Sequence, residues 1–158
     1  MTPPELLAGP DDTILVEFSQ FVLQEAPAQR TAQAIGVPSE GRRSLGGPGG
    51  IVFLSQASDH YPSVRIEVWS SRPEAGAARW DATEELTTNL TDDVRLRSRT
   101  MEISDKILPL PRPGDYAAIV HVNDDPQTDQ LEEGSFAHTA ERWLVQLWPI
   151  ASSATGQR

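Results

Sequence analysis

Three histidines, His60, His121 and His138, are the first residues to weigh for metal or acid–base chemistry. None stands in a His-x-x-x-His or Glu-x-x-His spacing, the pattern that sets two ligands on one helix face. His60 falls in an expected turn beside Asp59 and Tyr61, and His121 lies on the strand face opposite Tyr116 and Val120, so both are expected at the solvent surface. A serine nucleophile needs a strained turn such as Gly-x-Ser-x-Gly, which does not occur. With no cysteine there is no thiolate nucleophile, no thiolate zinc site and no disulfide framework. The glycines around Pro48 do not form a phosphate loop, because that loop needs Gly-x-x-x-x-Gly-Lys-Ser/Thr opening a helix and Ile51-Val-Phe-Leu reads as a strand. The expectation is a chain with no catalytic residues, no metal site and no cofactor.

Carboxylates offer a different chemistry. From Pro113 to Glu141 there are seven, Asp115, Asp124, Asp125, Asp129, Glu132, Glu133 and Glu141, and no lysine or arginine. Asn123, Asp125, Gln127 and Asp129 alternate as oxygen ligands do in a calcium loop, but Pro126 interrupts them. Thr128 stands where that loop needs glycine, and Gly134 where it needs a bidentate glutamate. Fixed carboxylates at a sandwich edge can instead imitate a phosphate backbone toward a DNA-binding protein. Asp124, Asp125, Asp129, Glu132 and Glu133 are therefore candidate partner contacts. Arg95, Arg97 and Arg99 alternate along one strand face, suited either to an anionic partner or to pairing with a carboxylate such as Glu67. Trp69, among polar neighbours, is a candidate interface anchor.

The charge balance points the same way. Thirteen basic against 23 acidic residues give a net charge of -10, which disfavours direct nucleic-acid binding and steers a basic partner inward. Of the cations 12 are arginine, and Lys106 is the one lysine. Met1-Thr-Pro-Pro-Glu carries neither the basic nor the apolar segment of a secretory signal, and the apolar runs are too short to span a bilayer, so a cytoplasmic protein with no membrane contact is expected.

These residues must be positioned by strands. A chain of 158 residues can bury one core unaided. Ile14 to Leu23 alternates with a one-residue slip, read as a long bulged strand. Ile51–Gln56 and Val64–Trp69 are expected to form a hairpin, followed by strands near 80–89, 94–99, 116–122 and 142–150. The fold expected is an all-β antiparallel sandwich of seven to eight strands over residues 12–150, with a loose arm at 1–11 and a polar tail at 151–158.

The strand segments Val16-Glu-Phe-Ser-Gln-Phe-Val-Leu23, Ile51-Val-Phe-Leu-Ser-Gln56 and Val64-Arg-Ile-Glu-Val-Trp-Ser-Ser71 run in order to Leu108-Pro-Leu-Pro-Arg-Pro-Gly-Asp-Tyr116. In that order, over roughly residues 13–150, the chain resembles the competence protein J family of bacteria. The resemblance implies a small β-sandwich that inhibits a DNA-entry nuclease, hence a basic nuclease as partner. The glycine-rich stretch before Ile51 and the longer 123–140 connection depart from that pattern. The function expected is a non-enzymatic, acidic protein-binding module, with a small-ligand or calcium-binding sandwich as the alternative.

Overall fold

The structure, a computed structural model, describes residues 2–28, 35–100, 102–124, 134 and 136–151, apart from the side chains of 139 and 140. Its strands are β1 (Leu6–Ala8), β2 (Asp11–Thr13), β3 (Gln20–Glu25), β4 (Ser44–Gly47), β5 (Gly50–Leu54), β6 (His60–Trp69), β7 (Ala82–Leu90), β8 (Val94–Arg97), β9 (Gly114–Asn123) and β10 (Ala137–Pro149). One sheet runs β1-β6-β10-β9-β7, with β2 also pairing β6, and the other runs β4-β5-β3-β8. The two sheets face each other as an open sandwich. No helix among the described residues is long and apolar enough to cross a membrane.

Alternation selects the inner faces. Val64, Ile66 and Val68 of β6, Trp143, Val145 and Leu147 of β10, and Ala118, Val120 and Val122 of β9 are all buried. Phe21 of β3 and Phe53 of β5 answer from the smaller sheet, stacked with ring centres 4.8 Å apart. Trp143 meets both edge-on, at 5.2 and 5.6 Å, and so joins the sheets at the core.

Several features differ from the expectation. Ile14 to Leu23 is not one bulged strand, because the chain reverses at Phe18–Ser19, where Glu17 and Gln20 exchange both backbone hydrogen bonds at 3.1 and 2.9 Å. Phe18 and Ser19 have φ of 56° and 60°, the two positive values of a type I′ turn. Such turns favour Asn-Gly, and a non-glycine residue there costs roughly 1–2 kcal/mol. An alternating pattern does not announce a reversal built from Phe-Ser.

β5 and β6 are not a hairpin either. Residues 55–59 carry the chain across to the other sheet, where β6 lies parallel to β10 with Val64 opposite Trp143 and Val68 opposite Leu147. The sandwich is thus antiparallel except at the centre of its larger sheet, and ten strands stand among the described residues instead of seven or eight. Within or beside the expected arm, Leu6–Ala8 and Asp11–Thr13 pair successive stretches of β6. Backbone bonds alone can hold such short edge strands without an apolar alternation to advertise them.

Both edges of the smaller sheet are partly covered. The β4–β5 turn reaches β7, where the Gly49 N–H donates to the Asn89 carbonyl at 2.8 Å and the Thr88 hydroxyl bonds the Gly47 and Gly50 carbonyls at 2.8 and 2.9 Å. Gly46 approaches β7 so closely that a Cβ there would stand 2.2 Å from the Thr87 carbonyl oxygen. On the other side Leu108 exchanges backbone bonds with Val94 at 3.2 and 2.8 Å, covering part of the β8 edge.

Candidate functional site

Three neighbouring segments converge at the end where β6 begins. Val16 bridges His60 from one side, antiparallel, and Ala137 pairs His60 from the other, parallel. The residues just beyond each contact therefore project from the same end. They are Phe18 after Val16, Asp59 before His60 and Phe136 before Ala137. Two strand spacings, roughly 10 Å, separate the outer pair of segments. Phe18 is 71% exposed and Phe136 47%.

Hydrogen bonds fix the two tips. The Ser19 N–H donates to Ser58 Oγ at 2.6 Å, the Ser55 N–H to the Ser19 carbonyl at 2.7 Å and the Asp59 N–H to the Val16 carbonyl at 2.8 Å. The Gly134 N–H donates to Asp59 Oδ2 at 2.7 Å and ties the start of β10 to the same turn. Beside the Phe18 turn a cleft of about 400 Å³ is lined by Glu17, Phe18, Ser19, Ser58 and Asp59.

Beneath this end lies a buried polar cluster. The Ser55 hydroxyl contacts His60 Nε2 at 2.8 Å and both Glu141 carboxylate oxygens, at 2.9 and 3.0 Å. Trp143 Nε1 donates to Glu141 Oε1 at 2.9 Å, and the Arg43 guanidinium approaches Glu141 at 3.9 Å while forming a bidentate pair with Asp124 at 2.8 and 2.9 Å. A serine, a histidine and a glutamate thus meet, yet Ser55 is 5% exposed and His60 and Glu141 are fully buried. Ser55 sits between the other two, so the histidine is not held by the carboxylate as a catalytic base is. The cluster pins β5, β6 and β10 together.

His60 is therefore no surface residue, contrary to the expectation from its turn-like neighbours. Burial pushes its imidazole below the ordinary value, against the charges of Glu141 and Asp59 and a hydrogen bond with the Ala57 backbone. A histidine depressed in the fold binds its proton first in the unfolded chain, so its penalty is absent above the ordinary pKa of about 6.5 and grows as pH falls below it. Urea midpoints are expected to drop between about pH 7.5 and about pH 5, and His60→Gln to flatten that part of the slope. Equal slopes in both proteins would show that His60 does not set it.

The candidate contacts named from sequence are scattered. Asp124 is held by Arg43, and its N–H donates to Asp81 Oδ2 at 2.9 Å. Asp125, Asp129, Glu132 and Glu133 lie outside the described residues, as do Gln127 and Thr128 of the calcium-like spacing. Asn123 of that spacing is engaged by its side chain, which accepts from the Asp81 N–H and donates to the Arg79 carbonyl. No three metal-ligating side chains are grouped among the described residues.

The arginine stripe is not free to solvent. Arg95 and Arg97 are half-buried on β8 and donate to the Ser104 and Ala28 carbonyls at 3.2 and 3.1 Å, while Arg99 follows the strand end. Glu67 lies in the other sheet and pairs Arg65 at 2.7 Å. Burial raises the Glu67 pKa, but bonds from Gln146, Arg65 and Trp69 outweigh it and hold the carboxyl below its usual value. Trp69 is half-buried, its Nε1 donating to Glu67 at 2.9 Å. Asp124, Trp69 and the arginines do not gather into one site.

On the outer face of the larger sheet, Trp80 stacks on His121 at 5.2 Å with Arg142 over its ring at 5.8 Å. Two clefts of about 400 Å³ meet there at Trp80 and Leu144. His121 also contacts Thr83 Oγ1 at 3.0 Å. The β6 end was missed in the sequence because its parts come from residues 17–19, 55–60 and 134–141, joined only by the cross-sheet chain path. The one local signal was the one-residue slip in the alternation between Phe18 and Phe21.

No family model matches the chain, and no curated protein does. Two solved structures match its fold over nearly all its length. ComJ from Bacillus subtilis, an inhibitor of the DNA-degrading activity of NucA, superposes with a TM-score of 0.59 at 10% identity, covering 94% of this chain and 100% of that one. The protein of crocagin biosynthetic gene J gives a TM-score of 0.54 at 14% identity, covering 95% of this chain and 100% of that one.

Proposed function

We propose that this protein is a non-enzymatic binding module of the nuclease-inhibitor type, which holds a basic DNA-degrading enzyme through its acidic surface. The observation that carries the reading is the end-to-end likeness in fold to ComJ, an inhibitor of NucA. The net charge of -10 supports it, since a DNA-degrading enzyme that binds phosphates offers a complementary basic groove. The carboxylates Asp125, Asp129, Glu132 and Glu133 are part of that proposed charge, along with Asp124 beside Arg43. The arginines 95, 97 and 99 and Trp69 are secondary contacts in this reading.

The test is DNA cleavage by purified NucA, and by other basic nucleases, with and without an excess of this protein. Inhibition is expected at an ionic strength of roughly 0.01 M and should weaken toward roughly 1 M, as the screening length shrinks from about 30 Å to about 3 Å. Cleavage that stays unchanged at both salt concentrations for every basic nuclease tried would end the nuclease reading.

A further inference from the structure

Strained backbone is concentrated at the β6 end. Of the five described non-glycine residues with positive φ, four are there, namely Phe18 at 56°, Ser19 at 60°, Asp59 at 57° and Phe136 at 53°. Two are phenylalanines, which have no polar side chain to compensate the conformation locally and which are left facing solvent. Exposed rings held in costly backbone geometry do nothing for the core. Phe18 is also preorganised, because the Ser19–Ser58, Ser55–Ser19 and Asp59–Val16 bonds fix the turns around it.

The cleft beside Phe18 has a definite chemistry. Among the described residues its lining of Glu17, Phe18, Ser19, Ser58 and Asp59 combines an aromatic ring, two hydroxyls and two carboxylates, with no cation. Glu17 also bonds Thr100 through both oxygens, at 2.6 and 2.7 Å, so its charge is fixed in place. A ring beside convergent negative charge is what an ammonium or guanidinium group recognises.

We propose that this cleft receives a lysine or arginine side chain from a protein partner, with the cation against the Phe18 ring and the Asp59 and Glu17 charges. Phe136, at the neighbouring strand start, supplies an apolar contact beside it. The inference rests on the reading of the chain as a protein-binding module and adds the place and the chemistry of the contact.

The experiment places p-benzoylphenylalanine at position 18 or 136 of the full chain, or at position 107 as a control. Ile107 is 47% exposed and sits beside Leu108, which pairs with Val94 at the far end of β8. After irradiation in the native cells, the captured protein is purified and its affinity measured for the wild type, Phe18→Asn and Asp59→Asn. Asparagine tolerates positive φ, so both variants keep the turn geometry, and Phe18→Asn should melt no lower than the wild type.

One protein should be captured at 18 and 136 but not at 107, and either variant should weaken its binding at least about 30-fold, as expected for a central anchor. Capture of a second copy of this chain, equal capture at 107, no adduct at 18, or affinities within about threefold of wild type would overturn the proposal. The DNA-degrading activity of the captured protein is read separately. A partner that is no nuclease removes the nuclease reading and leaves the cleft. A nuclease bound undiminished by both variants does the reverse.

Discussion

Replacing Glu141 with alanine is expected to destabilise the protein by about 3–5 kcal/mol, the range for removing one partner of a buried charged network. Its carboxylate accepts from the Ser55 hydroxyl and from Trp143 Nε1 and lies 3.9 Å from the Arg43 guanidinium. Alanine would leave these donors buried and facing a void. Arg43 would keep its bidentate pair with Asp124, so the loss falls mainly on Ser55, Trp143 and His60. Because a domain of this size has only about 5–15 kcal/mol in total, Glu141→Ala would consume a large share of it. Glu141→Gln preserves shape and one acceptor and should cost less than half as much. Urea unfolding with an unchanged m-value measures both. A loss below about 1 kcal/mol for Glu141→Ala would show that the cluster does not hold this end together.

Gly46→Ala should be the second severe change, about 1–3 kcal/mol and more if the backbone cannot retreat. The added carbon would stand 2.2 Å from the Thr87 carbonyl oxygen and 2.8 Å from Leu86 Cδ1. A carbonyl inside paired β7 cannot yield as a flexible side-chain end can. The added methyl would push β4 away from β7 and disturb the Thr88 and Gly49 bonds that join the sheets there. Gly76→Ala is the matched control, with nothing within 4 Å of its Cβ position, and should leave the melting temperature nearly unchanged. Equal melting of both variants would mean that the sheets part there without cost.

Sequence made most of the long strands legible. β6, β8, β9 and β10 each bury alternate residues, and that period survives in the sequence because one face of each strand meets the core. Pairing was not legible. The segment Asp59–Pro62 read as an ordinary turn, but nothing local distinguishes a turn that closes a hairpin from one that changes sheets. Phe18–Ser19 likewise lacks the turn residues that would mark it, since Phe-Ser at positive φ runs against local preference. The site inherited both difficulties. Composition gave the acidic character of the chain, whereas the cluster around Ser55 and the tips at Phe18 and Phe136 depend on β6 lying between residue 16 and residue 137.

The parallel β6–β10 pair also sets the order of events during folding. Residues 60–69 must wait for 137–149 before the centre of the larger sheet exists. Contacts so distant in sequence raise the contact order and place folding toward the slow, millisecond-to-second end of small domains. During synthesis, Val64, Ile66 and Val68 leave the ribosome long before Trp143, Val145 and Leu147 can cover their flank. A nascent or truncated chain ending before residue 137 therefore exposes the unpaired edges of β6 and β9, and aggregation at that stage competes with completion of the domain.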